Sequence, residues 1–342
     1  MLHKPNDAVR EARFWKDLGN SKVQCLLCPV SCKISNGKLG LCGVRENRGG
    51  KLFTLIYGKA SSVANDPIEK KPLYHFHPGT SALSFGTVGC NMKCLFCQNY
   101  TISQVKYGTI PMRDIAPEDV LPLVERYGSN GVAWTYNEPT IWHEFAYDAS
   151  KLVKEAGYYS VYVTNGYINE DPLREMAEYL DAMNVDIKAF TEDFYRKLCK
   201  GRLQPVLDTC VLAKELGIHL ELTKLIVPGE NDSPEETREF CRWVVENLGE
   251  RTPVHLSRFH PDYEMRDRKR TPMDTLDESF EIAQSEGLKY VYLGNIPHDP
   301  RENTYCPDCG GMLIERWGFS IGETNLDGDK CASCGADLDM VL

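Results

Sequence analysis

The sequence predicts an α/β protein of repeated βα units around a parallel sheet, over residues 81–297, with small cysteine-rich modules at either end, over 1–80 and 298–342. Three observations predict it. From about residue 81 to residue 295, short β-branched and aromatic runs alternate with amphipathic helical patterns. Eleven of the 14 cysteines fall into three groups with metal-ligand spacing, at the two ends and just after the first candidate strand. The polar outliers of the middle segment sit at the C-terminal ends of its candidate strands, which share one rim in a βα-repeat fold.

The composition bounds the function. With 342 residues, 39 basic and 49 acidic side chains, a net charge of −10 and 42% hydrophobic content, this is an ordinary globular composition. The length suits about two domains of ~150 residues, or equally one α/β barrel of ~250 residues with additions. No apolar run approaches the ~20 residues of a membrane helix. The opening MLHKPNDAVREARFW has no hydrophobic stretch of signal-peptide type, so a cytoplasmic location and no membrane partner are expected. An acidic balance without a Lys/Arg run leaves no electrostatic footprint for a general nucleic-acid binder, and nucleic acid is not expected as a partner. Disulfides are the wrong explanation for so many cysteines in a chain of this length that shows no export signal.

The elements follow in order. The first cysteine group, Cys25, Cys28, Cys32 and Cys42 in QCLLCPVSCKISNGKLGLCGVREN, has no helical or strand period and reads as loop held by its ligands. The segment PIEKKPLYHFHPG carries His75 and His77 two apart, more often a packed crossing than a ligand pair. Candidate strands are 82–87, 131–136, 160–164, 184–188, 219–227, 254–259 and 290–293. Ser233, Pro234 and Glu236 supply an N-cap, a first-turn proline and the returning acid of a capping box for one helix, and Asp171-Pro172 does the same for another. In the latter, Leu173, Met176, Ala177 and Leu180 form the stripe that packs on a sheet. GNIPHDPRENT then reads as a linker to the C-terminal module.

The chemistry centres on GCNMKCLFCQNY, where Cys90, Cys94 and Cys97 are spaced CxxxCxxC directly after the first strand. Three thiolates cannot close a four-coordinate site. A 4Fe-4S cluster takes one ligand per iron, so three cysteines leave one iron open to a group that is not protein. On the same rim lie Asn137 and Glu138 after the second strand, Thr164 and Asn165 after the third, Asp186 and Lys188 on the fourth, and His260 after the sixth. Singly these read as a helix start, a turn or a salt-bridged pair; jointly the bland readings need a coincidence.

CxxxCxxC, with Phe96 before the third cysteine, resembles the cluster motif of radical S-adenosylmethionine (SAM) enzymes. The longer series CLLCPxxC, CGVREN, GTVGCNxxCxxCQNY, YNEPT, VTNGY, DIKAF, HLSRFHPDY, YLGN and ENTYCPxCG resembles the radical SAM member of the AmmeMemoRadiSam system, related to pyruvate formate-lyase activating enzymes, over nearly the whole chain. The resemblance implies a partial (β/α)6 TIM-type barrel, a 4Fe-4S cluster on Cys90, Cys94 and Cys97, and reductive cleavage of SAM to methionine and a 5'-deoxyadenosyl radical that takes hydrogen from a substrate it does not identify. It further implies an external electron donor such as flavodoxin or ferredoxin, and AMMECR- or Memo-type partners. By the same resemblance Glu138 contacts the SAM amino group. Thr164, Asn165, Asp186 and Lys188 serve the carboxylate and ribose, and His260 the ribose or sulfonium region. Asn137 departs from the glycine many relatives carry, and a side chain there narrows the room around the amino group. Two rivals stand beside this: a glycyl-radical-enzyme activase acting on a partner protein, and a non-catalytic metal-binding or electron-transfer module.

At the C-terminus Cys306, Cys309, Cys331 and Cys334 form paired CxxC knuckles resembling a zinc ribbon, with a structural zinc favoured over a rubredoxin-like iron. The N-terminal group fits zinc or a second 4Fe-4S cluster equally well. Cys199, Cys210 and Cys241 stand alone in helical patterns as core thiols. Cys199 is set apart by Lys197, Lys200 and Arg202 around it.

Overall fold

The computed structural model describes residues 9–296 and 299–342; the first eight residues and the expected boundary at 297/298 lie outside them. The central sheet among the described residues has eight strands: β1 (Ser62–Pro67), β2 (Ser81–Gly86), β3 (Gly131–Trp134), β4 (Tyr159–Thr164), β5 (Ala182–Asp186), β6 (His219–Ile226), β7 (Val254–Arg258) and β8 (Val291–Gly294). Their order in space is their order in the chain. β2 to β8 are parallel, and β1 pairs antiparallel with β2, from Ser62 opposite Gly86 to Pro67 opposite Ser81. All seven expected strands are present within two residues at either end. β1 is an addition that ties the N-terminal segment into the sheet.

A parallel sheet that never reverses its order, with crossovers of one hand, sends every connecting helix to the same face. Six helices pack there: α1 (Pro117–Tyr127), α2 (His143–Glu155), α3 (Glu170–Ala177), α4 (Gln204–Glu215), α5 (Pro234–Leu248) and α6 (Met273–Ser285). Side chains such as Val124, Phe145, Met176, Val206 and Phe240 meet Leu83, Trp134, Met183 and Leu222 in one buried core. Trp134 satisfies its indole N–H on the Ser150 and Ser160 hydroxyls, at 2.9 and 3.2 Å. At the start of α5, Ser233 Oγ accepts the Glu236 N–H as expected. The Glu236 carboxylate does not return to the cap; it is turned inward, where it accepts from Phe190 N and Lys224 Nζ. α3 starts two residues earlier than expected, capped by Asn169 without a side-chain bond.

Strand alternation sends a second set of residues to the opposite face. Small side chains there, Ala82, Ala133 and Ala182, leave room for Ile68, Leu73 and Phe76. The buried Glu221 carboxylate takes the His75 N–H at 2.7 Å and the rings of His219 and His255 at 3.1 and 2.7 Å. Burial opposes its charge, yet those bonds hold it well below the usual carboxylate range. His75 Nε2 lies 2.6 Å from Tyr292 Oη, and burial pushes its pKa down to about 3. His77 stacks on Tyr159. The pair is therefore packed, as is His255.

The N-terminal segment is not loop alone. Trp15–Gly19, Lys22–Cys25 and Lys33–Ser35 form one small antiparallel sheet, and Arg10–Glu11, Lys51–Thr54 and Arg45–Arg48 another. Strands of two to five residues are too short to show a period, which is why the sequence reads as loop. The C-terminal module builds on Thr304–Tyr305, Met312–Trp317 and Ser320–Thr324. It clips onto the inner segment through Val341 N to His75 O at 2.8 Å and His77 N to Val341 O at 2.6 Å. No helix among the described residues is long and apolar enough to cross a membrane.

Candidate active site

The C-terminal ends of the parallel strands open onto one cavity of about 540 Å³, lined by Cys90, Cys94, Phe96 and Cys97 on one side. Asn137, Glu138, Thr164, Asn165, Asp186 and Lys188 line it from the strand ends. Every expected rim residue reaches this cavity except His260, which is exposed and stands outside its lining; Ser257 and Phe259 face it from that strand instead.

The cysteine loop is fixed from several sides. Gly89 enters it at φ +88°, with room for no side chain. Lys93 N and Leu95 N donate to the carbonyls of Cys199 and Leu198, both at 2.9 Å. Cys90 Sγ receives the Met92 N–H at 3.4 Å and the Asn165 amide at 3.7 Å. Cys97 Sγ lies 3.0 Å from Ser103 Oγ. Burial raises the Cys90 and Cys97 thiols, and a hydrogen bond with Cys199 together with burial raises Cys94 well above its ordinary value. Cys199 is thus a buried neighbour of a cysteine ligand; Cys210 and Cys241 are plain core residues.

Glu138 is buried and fully engaged. Its Oε1 accepts from Thr140 N at 2.9 Å and Thr164 Oγ1 at 2.7 Å, and its Oε2 accepts from Asn165 N at 2.8 Å, so it ties the end of β3 to the end of β4. Asn137 points away from the cavity centre: its Nδ2 donates to Gly89 O at 2.8 Å and its Oδ1 accepts from Thr87 N at 3.0 Å. The side chain that departs from glycine therefore clamps the start of the cysteine loop. Lys188 Nζ pairs with Asp186 at 2.8 Å. Burial works against the charge of Lys188, but Asp186 and the nearby thiols leave its pKa well above the ordinary lysine value.

Sequence reasoning missed one wall. Lys70, Lys71 and Tyr136 also line the cavity, gathered on the Asp66 carboxylate, with Lys70 Nζ at 2.9 Å and Lys71 Nζ at 2.7 Å. Burial pushes Lys71 down to about 8. The only local signal was the EKK run, whose place on the cavity wall depends on the unexpected strand β1.

The remaining cysteines form two further sites. Cys306 and Cys334 have their sulfurs 3.7 Å apart, Cys309 and Cys331 3.8 Å, and all four lie within 4.8 Å of one another. A tetrahedron with Zn–S bonds of about 2.3 Å has edges of about 3.8 Å, so this set fits a single tetrahedral ion. Cys25, Cys28, Cys32 and Cys42 line a second, enclosed space of about 20 Å³, and burial pushes Cys42 up to about 11.

A parallel α/β sheet whose strand ends meet one buried and two half-buried cysteine thiols beside a polar cavity has the layout of an enzyme site. The family model of the radical SAM superfamily matches residues 85–241. An uncharacterized protein of Methanocaldococcus jannaschii is 48% identical over 98% of this chain and all of its own length. The pyruvate formate-lyase-activating enzyme of Clostridium pasteurianum is 27% identical over 52% of this chain and 80% of its own. Among solved structures, Streptococcus suis SuiB bound to the precursor peptide SuiA shares the fold at a TM-score of 0.50 and 16% identity, covering 68% of this chain and 52% of that one. The chain belongs to the radical SAM superfamily, whose members are enzymes that use a 4Fe-4S cluster and SAM.

Proposed function

We propose that this chain cleaves SAM reductively in the rim cavity and abstracts hydrogen from a substrate held in the same space. The observation that carries the reading is the opening of Cys90, Cys94 and Cys97 into one 540 Å³ cavity with the polar ends of β3, β4 and β5. The donor set fits the group: three cysteine sulfurs facing one polar cavity suit three irons of a cluster whose fourth stays open to a ligand that is not protein. Cys90, Cys94 and Cys97 would hold a 4Fe-4S cluster, which would supply the electron for reductive cleavage of SAM to methionine and a 5'-deoxyadenosyl radical that takes hydrogen from the substrate.

The chain's own residues bind, orient and exclude water. Lys188 neutralises the SAM carboxylate by a charge-assisted hydrogen bond, and Asp186 aims it. Glu138 positions rather than contacts: with three protein donors on its oxygens, it sets Thr164 and Asn165 at the distance the cofactor needs. Phe96 and Phe259 supply apolar surface. The Lys70, Lys71 and Tyr136 wall suits a substrate bearing an anionic group. His260 reaches the ribose only if its exposed loop folds inward on binding.

The sheet, unreversed and helix-covered on one face, is read as a partial (β/α)6 barrel, with zinc on Cys306, Cys309, Cys331 and Cys334. A flavodoxin- or ferredoxin-type protein is the proposed electron donor, and the sequence series supports a reading within the AmmeMemoRadiSam system, with AMMECR- or Memo-type partners. Likeness to activating enzymes over about half the chain favours one second reading, a glycyl-radical activase acting on a partner protein.

The test is anaerobic reconstitution with iron and sulfide, then dithionite and SAM, with 5'-deoxyadenosine read by mass spectrometry. The reading expects the product from the native chain and none from Cys94→Ala. Absence of both cluster and cleavage in the native chain would sink it.

A further inference from the structure

We infer that Cys199 is a positioning residue for the rim site: its thiol donates a hydrogen bond to the Cys94 sulfur when Cys94 serves as a ligand, and so raises the potential at which a cluster held there takes up an electron. This role rests on the radical SAM reading of the rim and adds to it a residue outside the CxxxCxxC loop.

Cys199 ends a single turn of π-helix, Tyr195–Cys199, that follows β5 and a short helical turn at Glu192–Phe194. Such turns are rare and frequently lie at functional sites. This one is fixed from three sides. Tyr195 O accepts the N–H groups of Lys200 and Gly201, as Lys200 swings into the left-handed region at φ +58° and ψ +37°. Tyr195 Oη accepts the Lys188 N–H at 3.0 Å, which ties the turn to the strand end that carries the cavity lysine. Gly201 lies against Met92, where a Cβ would come within 3.1 Å of Met92 Cε. The last two carbonyls of the turn then meet the cysteine loop. Cys199 O accepts the Lys93 N–H and Leu198 O accepts the Leu95 N–H, both at 2.9 Å. Lys93 and Leu95 flank Cys94, so two backbone bonds straddle the ligand and set Cys94 beside Cys199. Both residues are buried, and their thiols are hydrogen-bonded to each other.

Ligation gives the bond between the two sulfurs a direction. A bound Cys94 has lost its proton, so the remaining S–H belongs to Cys199 and points at an anion. A second thiolate beside the first would be repelled by it, which keeps the Cys199 proton in place. A thiol is a weak donor, but a charged acceptor in a site closed to water strengthens the bond. Reduction adds negative charge to a cluster and its sulfurs, and hydrogen bonds to those sulfurs stabilise that charge and raise the potential. Cys210 supplies the internal comparison. It is as fully buried as Cys199, and burial alone raises its thiol.

The test compares Cys199→Ala, Cys199→Ser and Cys210→Ala with the native full chain, each reconstituted anaerobically with iron and sulfide and titrated by electron paramagnetic resonance. The signal of the rim site is the part that Cys94→Ala removes. Loss of the donor in Cys199→Ala should shift the reduction equilibrium of that signal about ten-fold toward the oxidised form, a midpoint lower by about 59 mV for a one-electron couple, with iron content unchanged. Cys199→Ser keeps a donor and should fall between Cys199→Ala and the native chain, while Cys210→Ala should match the native chain. An unchanged midpoint in Cys199→Ala, or an equal shift in Cys210→Ala, overturns the role of Cys199 and leaves the rim reading standing. A Cys94→Ala chain that keeps the native iron content and signal overturns the rim reading, and the role of Cys199 with it. If Cys199→Ala fails to fold, Raman difference spectra of the loaded chains decide. The S–H stretch lost in Cys199→Ser should lie at lower frequency than the one lost in Cys210→Ser, as a donor to a charged sulfur requires; equal frequencies overturn the role.

Discussion

Gly89→Ala tests whether the N-terminal module and the cysteine loop are held against each other. Gly89 sits at φ +88°, where an L-residue is strained by roughly 1–2 kcal/mol. A Cβ there would also stand 2.4 Å from Cys42 O, 3.0 Å from Val44 Cγ1 and 3.3 Å from Ile141 Cδ1. The nearest of these is the backbone carbonyl of Cys42, which cannot swing aside as a side chain would, so the contact adds a further ~1–3 kcal/mol of overpacking. The total is about 2–5 kcal/mol. Gly108 provides the control: its φ is +83° and nothing lies within 4 Å of its Cβ position, so Gly108→Ala carries the conformational part alone, about 1–2 kcal/mol. Urea denaturation under anaerobic conditions measures both, with an unchanged slope as the check that only stability moved. If Gly89→Ala costs no more than Gly108→Ala, the close approach of the two loops is wrong.

Other outcomes follow from the same geometry. Lys188→Met should weaken SAM binding about ten- to a hundred-fold, the loss of one charge-assisted hydrogen bond, read by equilibrium dialysis with the cluster intact. His75, whose pKa burial pushes to about 3, stays neutral in the fold while the unfolded chain takes up a proton near pH 6.5. The unfolded state therefore binds more protons between those values, and stability should fall with falling pH by about 1.4 kcal/mol per unit from this group, a slope that His75→Gln removes in denaturation curves at pH 4 to 7. Cys334→Ser should lower zinc by about one per chain and open the hairpin at Leu326–Cys331 to protease, without changing iron content. A variant that kept its zinc would exclude the tetrahedral site.

Much of the architecture was legible because the middle of the chain obeys strong rules. Parallel strands buried on both faces leave short apolar runs, as in 131–134 and 290–293, and rim chemistry leaves polar residues where those runs stop. That is why Glu138, Thr164 and Lys188 could be placed on one cavity before any coordinates. β1 escaped because its six residues, SVANDP, are polar on an edge and end in proline; only pairing with β2 makes them a strand. With β1 hidden, Lys70 and Lys71 had no address, and their arrival at the Asp66 carboxylate depends on that tertiary pairing. His260 was misplaced by an increment of the strand period: Phe259, one residue earlier, faces the cavity. Glu236 shows the opposite lesson. Its position satisfies a local capping rule, but a buried Lys224 and an unpaired Phe190 amide claim the carboxylate.

The C-terminal strap across the inner segment bears on how the chain is made. His75 meets the carbonyl of Asp339, 264 residues later, and Val341 pairs with the backbone of 75 and 77. During synthesis the sheet can pair strand by strand as it emerges, each new strand beside the last. The floor beneath it, with its glutamate and three histidines, stays uncovered until the final module has left the ribosome. With zinc on its four cysteines as proposed, zinc supply would set the pace of the last folding event, at the opposite end of the sheet from the rim cavity.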